Sequence, residues 1–467
     1  MIISRQVYPY STRGVAIYTY YAVKETAKRN KVVPISKFIK FAKKILKSDD
    51  HLVITDTNPL NPAVYYKAWR AHKDKLYTVM TCPKTGKEDN LGVAAIISLF
   101  HPYYGGAEKQ LERLAEALLL RGVKCYVVTR RLNGLEPFEC LRNIPVYRVF
   151  ATRINSGLLS TFTFIMSGCL FFIAHPNITR RVRILQADSD SPGLIAVIIG
   201  KFFRKKVVIR MRGTRQLESI KGSFFIRIVF KIISRLSDAI VVQYNQIDDL
   251  KFLGIDCSKI CLIPNGVDTE YFKKSDVKIR EHFREKMGFK NNVIGLYVGR
   301  LDPIKGLDLL LKALPRVVRT FPQFRLIVTG SGPSKSYIED QAKALGIYED
   351  ILFTGDVQDV KSYYEIADVF ILPSRSEGIS NALLEAMSME LSVIATAVGG
   401  TLEVVEDMRN GCLISPSSEE ILEKLNLLIT DKYLRDRLGK AARKTVIANF
   451  SIEKTAEKYI ELYTCIR

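Results

Sequence analysis

The sequence predicts an α/β protein built on two doubly wound parallel sheets. Short apolar runs without polar alternation, such as Gly92–Phe100 and Val293–Val298, suit parallel strands that helices cover on both faces. Longer segments with helical spacing follow them, such as Lys109–Arg121 and Gly306–Thr320. Strands that alternate with helices predict a parallel sheet. The alternation restarts near residue 293, so we predict two such domains.

The chain has 467 residues, which suits two or three domains. Hydrophobic residues make up 47% and charged residues 25%, as in ordinary globular proteins, so a disordered or fibrous chain is excluded. The eight cysteines are scattered without a CxxC pair, and there are five histidines. This usage argues against a disulfide scaffold or a zinc module and favours a reducing compartment.

Further apolar runs mark the remaining strands of each domain. The predicted strands are Lys124–Thr129, Ile184–Gln186, Val207–Met211 and Ala239–Gln243 in the first domain, and Arg325–Thr329, Ile351–Thr354, Val369–Leu372 and Val393–Ala395 in the second. We predict four parts: a small N-terminal α/β extension of unclear role (1–90), a first Rossmann-like domain (91–272), a second Rossmann-like domain (273–450), and a C-terminal helix (451–467).

The net charge of +22 calls for an anionic partner. Residues 1–50 hold 11 Lys and Arg against 3 Asp and Glu, and residues 178–235 hold 14 against 3. The sequence has no zinc-finger spacing, no RNP-like aromatic pair and no convincing helix-turn-helix, so we expect no nucleic acid. An anionic membrane surface is the favoured partner. A solvated basic surface without a specific partner remains an alternative.

Two segments bear on a membrane. Lys37–Lys47 alternates apolar residues and lysines at helical spacing, which suits a helix at a lipid interface or one packed on a core. Residues 154–179 carry no charged side chain, but the dense part, 158–174, is short of a full span, so we expect a buried or membrane-dipping helix. The N-terminus, Met1–Gln6, lacks a signal-peptide pattern. We therefore expect a cytoplasmic protein, peripheral on the inner face of the plasma membrane.

Two familiar nucleotide motifs are absent. Gly330-Ser331-Gly332 has Lys335 where the dinucleotide fingerprint needs a third glycine. Gly200-Lys201 lacks the rest of a P-loop. NAD chemistry and NTP hydrolysis are therefore disfavoured.

The segment Ser374–Met387 carries the strongest local signal. A buried strand ends at Pro373, and a helix begins near Asn381, which is a good N-cap residue. Ligands of such sheets bind beyond the carboxyl ends of the strands, and a helix N-terminus offers free N–H groups to phosphate. Glu377 lies in the loop and Glu385 about one turn into the helix, so two carboxylates can address two parts of one ligand. A helix cap plus a surface glutamate is the alternative.

Basic residues and glycines follow other strands. Arg300 and Lys305 project beyond Val293–Val298, where arginine can grip phosphate oxygens bidentately and lysine acts as a point charge. The alternative is a solvated turn. Gly105 and Gly106 follow the first strand and precede a helix, so the backbone can approach a ligand closely, unless they form a plain tight turn.

Taken together and in order, these motifs resemble those of the family 4 glycosyltransferases of the GT-B fold. The resemblance covers about residues 91–465, and its most specific element is an E-x7-E motif. The motifs that carry it are Glu377 to Glu385, Val298-Gly299-Arg300, Lys305-Gly306, Pro264-Asn265-Gly266-Val267-Asp268, Phe353-Thr354-Gly355-Asp356, Ala367-Asp368-Val369-Phe370, and Val398-Gly399-Gly400 with Glu403.

The resemblance implies two Rossmann-like domains that face a cleft and a nucleotide-sugar donor, a UDP- or GDP-sugar. Arg300 and Lys305 would hold its diphosphate, Glu385 the ribose hydroxyls and Glu377 the sugar. The backbone near Val357 would meet the base, and Gly106 would lie over the phosphates. Catalytic roles fall to Glu377, Arg300 and Lys305, and further binding roles to Gly105, Gly106, Arg212, Asn265, Val357, Gly378, Ile379, Ser380, Asn381 and Glu385.

The implied reaction is a metal-independent, cofactor-free transfer that retains the anomeric configuration. The acceptor would be a glycan or a polyprenyl-phosphate-linked sugar, in cell-surface polysaccharide or glycolipid synthesis. The sequence departs from the family where histidines are frequent, since Asp188 and Arg212 stand there. Arg212 is expected to meet an anionic acceptor or to form a structural salt bridge. A nucleotide-sugar epimerase of GT-B fold and a non-catalytic nucleotide-sugar-binding scaffold are the alternative functions.

Overall fold

The structure, a computed structural model, describes most of the chain after residue 90. Two compact units are found, Met1–Lys87 and Glu88–Arg467, and the second contains all the described residues. The predicted extension 1–90 and the predicted site residue Arg212 lie outside the description. The described ranges are 91–102, 105–152, 157–211, 213–244 and 246–466.

The first half of the described unit consists of eight strands and seven helices. The strands are β1 (Gly92–Ile97), β2 (Lys124–Arg130), β3 (Phe138–Leu141), β4 (Ile144–Val149), β5 (Ile184–Asp188), β6 (Lys206–Arg210), β7 (Ala239–Val242) and β8 (Ile260–Leu262). The helices are α1 (Gly106–Leu119), α2 (Gly157–Ala174), α3 (Pro176–Arg181), α4 (Ser191–Phe202), α5 (Thr214–Gly222), α6 (Phe224–Leu236) and α7 (Ile247–Phe252).

The second half consists of six strands and eight helices among the described residues. The strands are β9 (Val293–Val298), β10 (Phe324–Thr329), β11 (Ile351–Gly355), β12 (Val369–Leu372), β13 (Ser392–Thr396) and β14 (Cys412–Ile414). The helices are α8 (Val277–Lys286), α9 (Leu307–Thr320), α10 (Lys335–Ala344), α11 (Lys361–Ile366), α12 (Asn381–Ser388), α13 (Ser418–Thr430), α14 (Lys432–Asn449) and α15 (Ile452–Cys465).

Both sheets are doubly wound. The first has the order β3-β4-β2-β1-β5-β6-β7-β8, with β3 antiparallel to β4 and the other neighbours parallel. The second has the order β11-β10-β9-β12-β13-β14, and all its pairs are parallel. The strand order reverses between β1 and β5 in the first sheet and between β9 and β12 in the second. Ligands of such sheets bind at these switch points, beyond the carboxyl ends of the strands.

Successive side chains of β1 point to opposite faces of the first sheet, and both faces are buried. Val93, Ala95 and Ile97 point to the side covered by α1 and α15. Ala94 and Ile96 point to the side covered by α2, α4 and α6. A strand buried on both faces reads as a continuous apolar run, which is why β1 shows no alternation in the sequence.

The last helix, α15, returns to the first half. Ile452 donates its N–H to the carbonyl of Val267 at 2.9 Å, and the Tyr463 hydroxyl bonds to Gln186 on β5. Tyr463 and Tyr459 are buried in the core of the first half. The two halves are therefore tied together at the end of the chain.

The observed strands and helices differ from the predicted ones at a few positions. The predicted strands appear within one or two residues, except that β1 ends three residues before the predicted Phe100. The sequence missed β3, β4, β8 and β14, which are short or lie near the sheet edges. Residues 157–174 form a helix in which only Phe164, Gly168, Phe171 and Phe172 are buried, so the buried alternative of the prediction is wrong, and the membrane-dipping alternative stays a prediction.

Asp368, just before β12, bonds to two other elements of the second half, α8 and β9. Its carboxylate accepts from Arg280 at 2.7 Å, from Arg284 at 3.2 Å and from the N–H of Ile294 at 2.8 Å. Burial by itself would raise the pKa of this carboxyl, but the charges of the two arginines, together with the Ile294 N–H, hold it below its ordinary value.

Asp368→Asn should lower the free energy of unfolding by roughly 3 kcal/mol, because it leaves two partly buried arginines without their counter-charge. Because the folded-state pKa lies below the unfolded value, the stabilisation is complete above about pH 4 and is lost as the pH falls through the folded-state pKa. Urea unfolding at several pH values measures both effects. Asp340→Asn, in an exposed pair with Lys343, is the control that should stay near wild type. Equal unfolding midpoints for the two variants at pH 7 would contradict the assignment.

Candidate active site between the two halves

The carboxyl edges of the two sheets meet at a cleft, and the side chain of Asn381 bridges it. Its Nδ2 donates to the carbonyl of Gly106 at 2.8 Å, and its Oδ1 accepts from Asn265 at 3.1 Å. Asn265 also donates to the carbonyl of Ile379 at 2.9 Å. Gly106 follows β1 and Asn381 follows β12, so the contact joins the segments beyond the two switch points.

Helix α12 begins at Asn381, one residue earlier than a cap at Asn381 would require. Ser380 is the N-cap: it has extended backbone angles, and its Oγ accepts from the N–H of Leu383 at 3.4 Å. The prediction that Asn381 caps the helix was wrong, because its amide is engaged across the cleft. The N-terminus of α12 still lies at the cleft, where its N–H groups and partial positive charge suit an anion.

Lys305 and Glu377 form an ion pair at the mouth of the second half. The Nζ of Lys305 lies 2.5 Å from Oε2 of Glu377, which also accepts from the Ser374 hydroxyl at 3.1 Å. Both charged side chains are largely covered, with 24% and 11% of their surface exposed. The pair places a cation beside a carboxylate where β9 and β12 end, so one group can meet a phosphate and the other a hydroxyl.

The turn that carries Lys305 requires a glycine after it. Gly306 has a φ of +66°, and a Cβ there would lie 2.0 Å from the carbonyl oxygen of Pro373. Since that neighbour is backbone of the loop that leads to Glu377, the two loops can approach only without a side chain. Gly400 plays a similar part: a Cβ on it would lie 2.6 Å from the carbonyl carbon of Gly378.

Arg375 braces the same two loops, although the sequence pattern predicts no role for it. Its guanidinium makes a bidentate pair with Asp308 at 2.8 and 2.7 Å and donates to the carbonyl of Pro303 at 2.7 Å. The Arg375 N–H also donates to the carbonyl of Ile304 at 2.7 Å. Bidentate pairs fix geometry as well as adding energy, so Arg375 holds the turn before Lys305 in place.

Glu385 is buried and pairs with the first half. Its Oε1 accepts from Arg113 of α1 at 2.7 Å, and its Oε2 accepts from the Tyr364 hydroxyl at 3.0 Å. Burial and the neighbouring carboxylate raise the pKa of Tyr364 well above its ordinary value, so the phenol keeps its proton and donates. The Arg113 guanidinium also lies over the ring of Phe272, 5.1 Å from its centroid.

Arg113 is the functional candidate that the sequence analysis missed. It lies on the helix that follows Gly106, 272 residues before Glu385, and it has no motif of its own. The one available signal was its place on the side of α1 that faces Glu385. The spacing of residues within a single helix does not show which other helix that side will contact.

The structure does not bring Arg300 to the Lys305–Glu377 pair. Its side chain is 62% exposed, and its guanidinium lies 3.9 Å from Asp302. The main chain of Arg300 is fixed, because its carbonyl accepts from the hydroxyl of Tyr297 at 3.1 Å. Of the four residues expected to share one crevice, Lys305 and Glu377 touch, Glu385 faces the first half, and Arg300 extends into solvent.

The remaining predicted site residues differ in their burial and in their position relative to the strands and helices. Gly378 is close to the first half, since a Cβ on it would meet Gln243 at 3.1 Å. Ile379 is buried in the core, so a binding role falls to its backbone N–H. Val357 follows β11, two strands from β9 in the second sheet. Gly105 directly precedes α1 at the first switch point.

Asp188, which stands where the family often has a histidine, ends β5 and is buried. Its Oδ1 accepts from Arg210 at 3.0 Å, and both side chains are less than 5% exposed. A buried carboxylate of this kind needs a cationic partner. In the described ranges, no group of three or more histidine, cysteine, aspartate or glutamate side chains could hold a metal ion. Metal independence stays a prediction.

Two family models match the chain on either side of the cleft. The model described as Glycosyltransferase Family 4 matches residues 104–271, and the model described as Glycosyl transferases group 1 matches residues 279–445. Together they cover more than half of the chain. The chain therefore belongs to the family 4 glycosyltransferases, as the motifs predicted.

Relatives and solved structures agree with this assignment. The capsular polysaccharide biosynthesis glycosyltransferase CapM of Staphylococcus aureus is 27% identical over 60% of this chain and 76% of its own. A GDP-mannose-dependent phosphatidylinositol monomannoside mannosyltransferase of Mycolicibacterium smegmatis is 29% identical over 43% of this chain and 55% of its own. The crystal structure of Anabaena HepE in complex with UDP-glucose superposes with a TM-score of 0.68 at 20% identity, over 80% of this chain and 100% of that one.

The likeness to HepE confirms the predicted GT-B fold of two Rossmann-like domains. The chain spans between about half and three quarters of the length of the curated relatives it matches. The predicted domain boundaries and the roles of the individual site residues stay predictions.

Gly306→Ala should disrupt the site more than an equivalent change elsewhere. A left-handed alanine costs about 1–2 kcal/mol by itself, and here the added Cβ also collides with Pro373. Gly346→Ala is a matched control, because its φ of +69° is similar and a Cβ there meets nothing within 4 Å. Thermal unfolding should show the larger loss for Gly306→Ala, and amide hydrogen exchange should rise around Lys305 in that variant alone. Equal losses would show that the loops do not need the glycine for close approach.

Proposed function

We propose that the chain is a retaining glycosyltransferase that moves a sugar from a UDP- or GDP-sugar to a hydroxyl of a glycan or of a polyprenyl-phosphate-linked acceptor. The observation that carries the proposal is the Lys305–Glu377 pair at 2.5 Å, located where β9 and β12 end and beside the N-terminus of α12. A nucleotide diphosphate sugar needs cationic and N–H groups for the phosphates and an acceptor group for sugar hydroxyls, and this arrangement supplies both.

The choice of donor is supported by the relatives. HepE is described in complex with UDP-glucose, and the mycobacterial relative is described as GDP-mannose-dependent. In this chain, Glu385 is proposed to accept hydrogen bonds from the ribose hydroxyls. Arg113 and Tyr364 hold the carboxylate in one orientation, and a carboxylate oxygen can accept more than one hydrogen bond.

The chemistry follows from where charge develops. Cleavage of the sugar–phosphate bond leaves negative charge on the diphosphate, and Lys305 with the first N–H groups of α12 is placed to stabilise it. Arg300 is proposed to fold in from its exposed position and add a second cation. Positive charge develops on the sugar ring, near the carboxylate of Glu377.

We propose that the anomeric configuration is retained because the acceptor hydroxyl attacks the same face of the sugar from which the diphosphate leaves. The acceptor hydroxyl forms the new bond to the anomeric carbon as the bond to the phosphate oxygen breaks, and the departing phosphate takes the hydroxyl proton. This route needs a cation at the phosphate and a protected cleft. The closely joined halves, with Asn381 bonded to Gly106, support such protection from water.

The nature of the acceptor and the cellular location of the enzyme are proposed from the charge of the chain and from its relatives. Residues 178–235 carry 14 basic residues against 3 acidic ones, and they belong to the half opposite the donor side. A phosphate-linked acceptor, or a membrane that contains it, suits this surface. CapM is described in capsular polysaccharide biosynthesis. We infer a cytoplasmic, peripheral enzyme on the inner face of the plasma membrane.

Lys305→Ala and Glu377→Ala should each lower kcat by at least about 100-fold, because each removes a group that meets charge in the transition state. Sugar transfer from a panel of UDP- and GDP-sugars is the assay, and circular dichroism checks the fold. Lys343→Ala and Glu419→Ala remove charges from exposed ion pairs that do not involve the proposed site residues, so they should leave activity unchanged. Full activity in either cleft variant rejects the proposed site.

Analysis of the sugar product with and without acceptor separates transfer from epimerisation. A glycosyltransferase gives a glycosylated acceptor with the anomeric configuration of the donor, which NMR of the product reads directly. An epimerised nucleotide sugar formed without acceptor would overturn the proposal. Thermal stabilisation by a nucleotide sugar without turnover on any acceptor would favour a binding scaffold instead.

Arg113→Ala should raise the donor KM about tenfold with a smaller effect on kcat. A hydrogen bond to a charged group contributes about 1.5–3 kcal/mol, and its loss lets the Glu385 carboxylate turn away from the ribose. Arg113→Lys should recover part of the loss, and Arg316→Ala, in an exposed pair with Glu419, should behave as wild type. An unchanged KM in Arg113→Ala would show that Glu385 needs no positioning from the first half.

A further inference from the structure

An apolar surface covers one side of the first half. Helices α2, α4 and α6 pack side by side on the same face of the first sheet. On α2, six large apolar side chains are exposed, by between 40% and 83%: Leu158, Leu159, Phe162, Met166, Leu170 and Ile173. Phe202 at the end of α4 is 73% exposed, and Phe224 and Phe225 at the start of α6 are 76% and 70% exposed. We call the outward sides of these three helices the apolar face.

The size of this surface calls for a partner. Scattered apolar side chains are normal on a protein surface, but a contiguous group spread over three neighbouring helices marks an interaction site. The inward sides of the same helices are already used, since Phe164, Phe172 and Ile195 fill the core beneath them. The outward apolar residues therefore contribute nothing to that core.

The charged residues on the three helices of the apolar face are all of one sign. Helix α2 has no charged residue, the charged residue of α4 is Lys201, and α6 carries Arg227, Lys231 and Arg235. No aspartate or glutamate occurs on any of the three helices. A second copy of this surface would bring like charges together. The complementary partner is an anionic lipid surface.

Helix α2 is suited to lie on a bilayer and not to cross it. It is apolar enough to span by composition, with a mean hydropathy of 1.9 over 18 residues. Its length, however, is about 27 Å against about 30 Å of hydrocarbon. Phe164, Phe171 and Phe172 also anchor it to the sheet, and Gly168 lets it approach Ile195 of α4 closely. To cross the bilayer, the helix would have to leave this core.

The apolar face begins beside the cleft. Strands β4 and β5 are parallel to β1, so α2 and α4, which follow them, start on the carboxyl side of the sheet, as α1 does after Gly106. Leu158 and Leu159 lie in the first turn of α2. A bilayer on this face therefore lies near the opening to which Gly106 and Asn381 contribute.

We propose that the outward sides of α2, α4 and α6 form a monotopic docking surface for an anionic lipid bilayer, held by insertion of apolar side chains and flanked by basic ones. The inference rests on the peripheral membrane association proposed above and assigns it to this surface. Phe162, Phe224 and Phe225 enter the headgroup boundary, while Lys201, Lys231 and Arg235 meet anionic headgroups. An acceptor with a lipid anchor then reaches the cleft without leaving the membrane.

The test is flotation of the full chain with vesicles of phosphatidylcholine containing 30% phosphatidylglycerol, roughly the order of anionic lipid to which polybasic surfaces respond. The face variant combines Leu158→Ser, Phe224→Ser and Phe225→Ser. The control combines Leu120→Ser, Tyr433→Ser and Val277→Ser, side chains that are 87%, 80% and 69% exposed on other surfaces. We expect the face variant to lose at least tenfold in partition coefficient and the control to match wild type. Binding of the wild type should persist in part at high salt, because insertion is not screened.

A second variant tests the basic rim. Lys201→Gln, Lys231→Gln and Arg235→Gln together should lower partition onto the anionic vesicles severalfold, with little change on pure phosphatidylcholine. Wild-type partition by the face variant overturns the proposal. So does complete release of the wild type by salt, or a dimer in analytical ultracentrifugation that only the face variant abolishes.

A measurement of nucleotide binding distinguishes a failure of the proposed function from a failure of the proposed docking surface. Thermal stabilisation by UDP and GDP is measured on the wild type and on both membrane variants. Unchanged nucleotide stabilisation with lost vesicle binding supports the docking surface. If no nucleotide stabilises the wild type, the proposed function fails while the flotation result still decides the docking surface.

Discussion

The amide side chain of Asn381 bonds on both sides to the first half, to the carbonyl of Gly106 and to the side chain of Asn265. It stands at the start of α12, so the same contact that closes the cleft aims the helix N-terminus into it. Helix α12 also carries Glu385 one turn later, and that carboxylate meets Arg113 of the first half. The relative position of the halves and the position of the anion-binding groups are thus set together.

Close contacts between backbone segments constrain this arrangement as much as its hydrogen bonds do. The turn that carries Lys305 and the loop that leads to Glu377 touch at Gly306 and Pro373, and the Glu377 loop touches the backbone at Gly400. Arg375 then locks the first of these loops with its pair to Asp308. A lysine and a carboxylate can be held 2.5 Å apart at the cleft because the backbones beneath them are in contact. Arg300 is the exposed cation of the set.

The first half combines two surfaces of different character. Its cleft side is polar and includes a buried Asp188–Arg210 pair, while the outward sides of α2, α4 and α6 are apolar with basic residues around them. Both surfaces start where the parallel strands end, because the helices that directly follow parallel strands, such as α2 and α4, begin on that side. In the proposed function, a membrane-bound acceptor and a soluble donor approach the same cleft from different directions.

The sequence by itself determined the doubly wound halves, the family and the order of its motifs, since buried parallel strands and helix starts leave local patterns that a single chain displays. Tertiary structure decided the rest. Ser380 and not Asn381 caps α12, because a contact across the cleft uses the Asn381 amide. Arg113 became a site residue through a partner 272 residues away, and α2 proved exposed where an apolar run suggests burial. Such outcomes depend on which faces meet after folding, and periodicity along one segment carries no information about its distant partner.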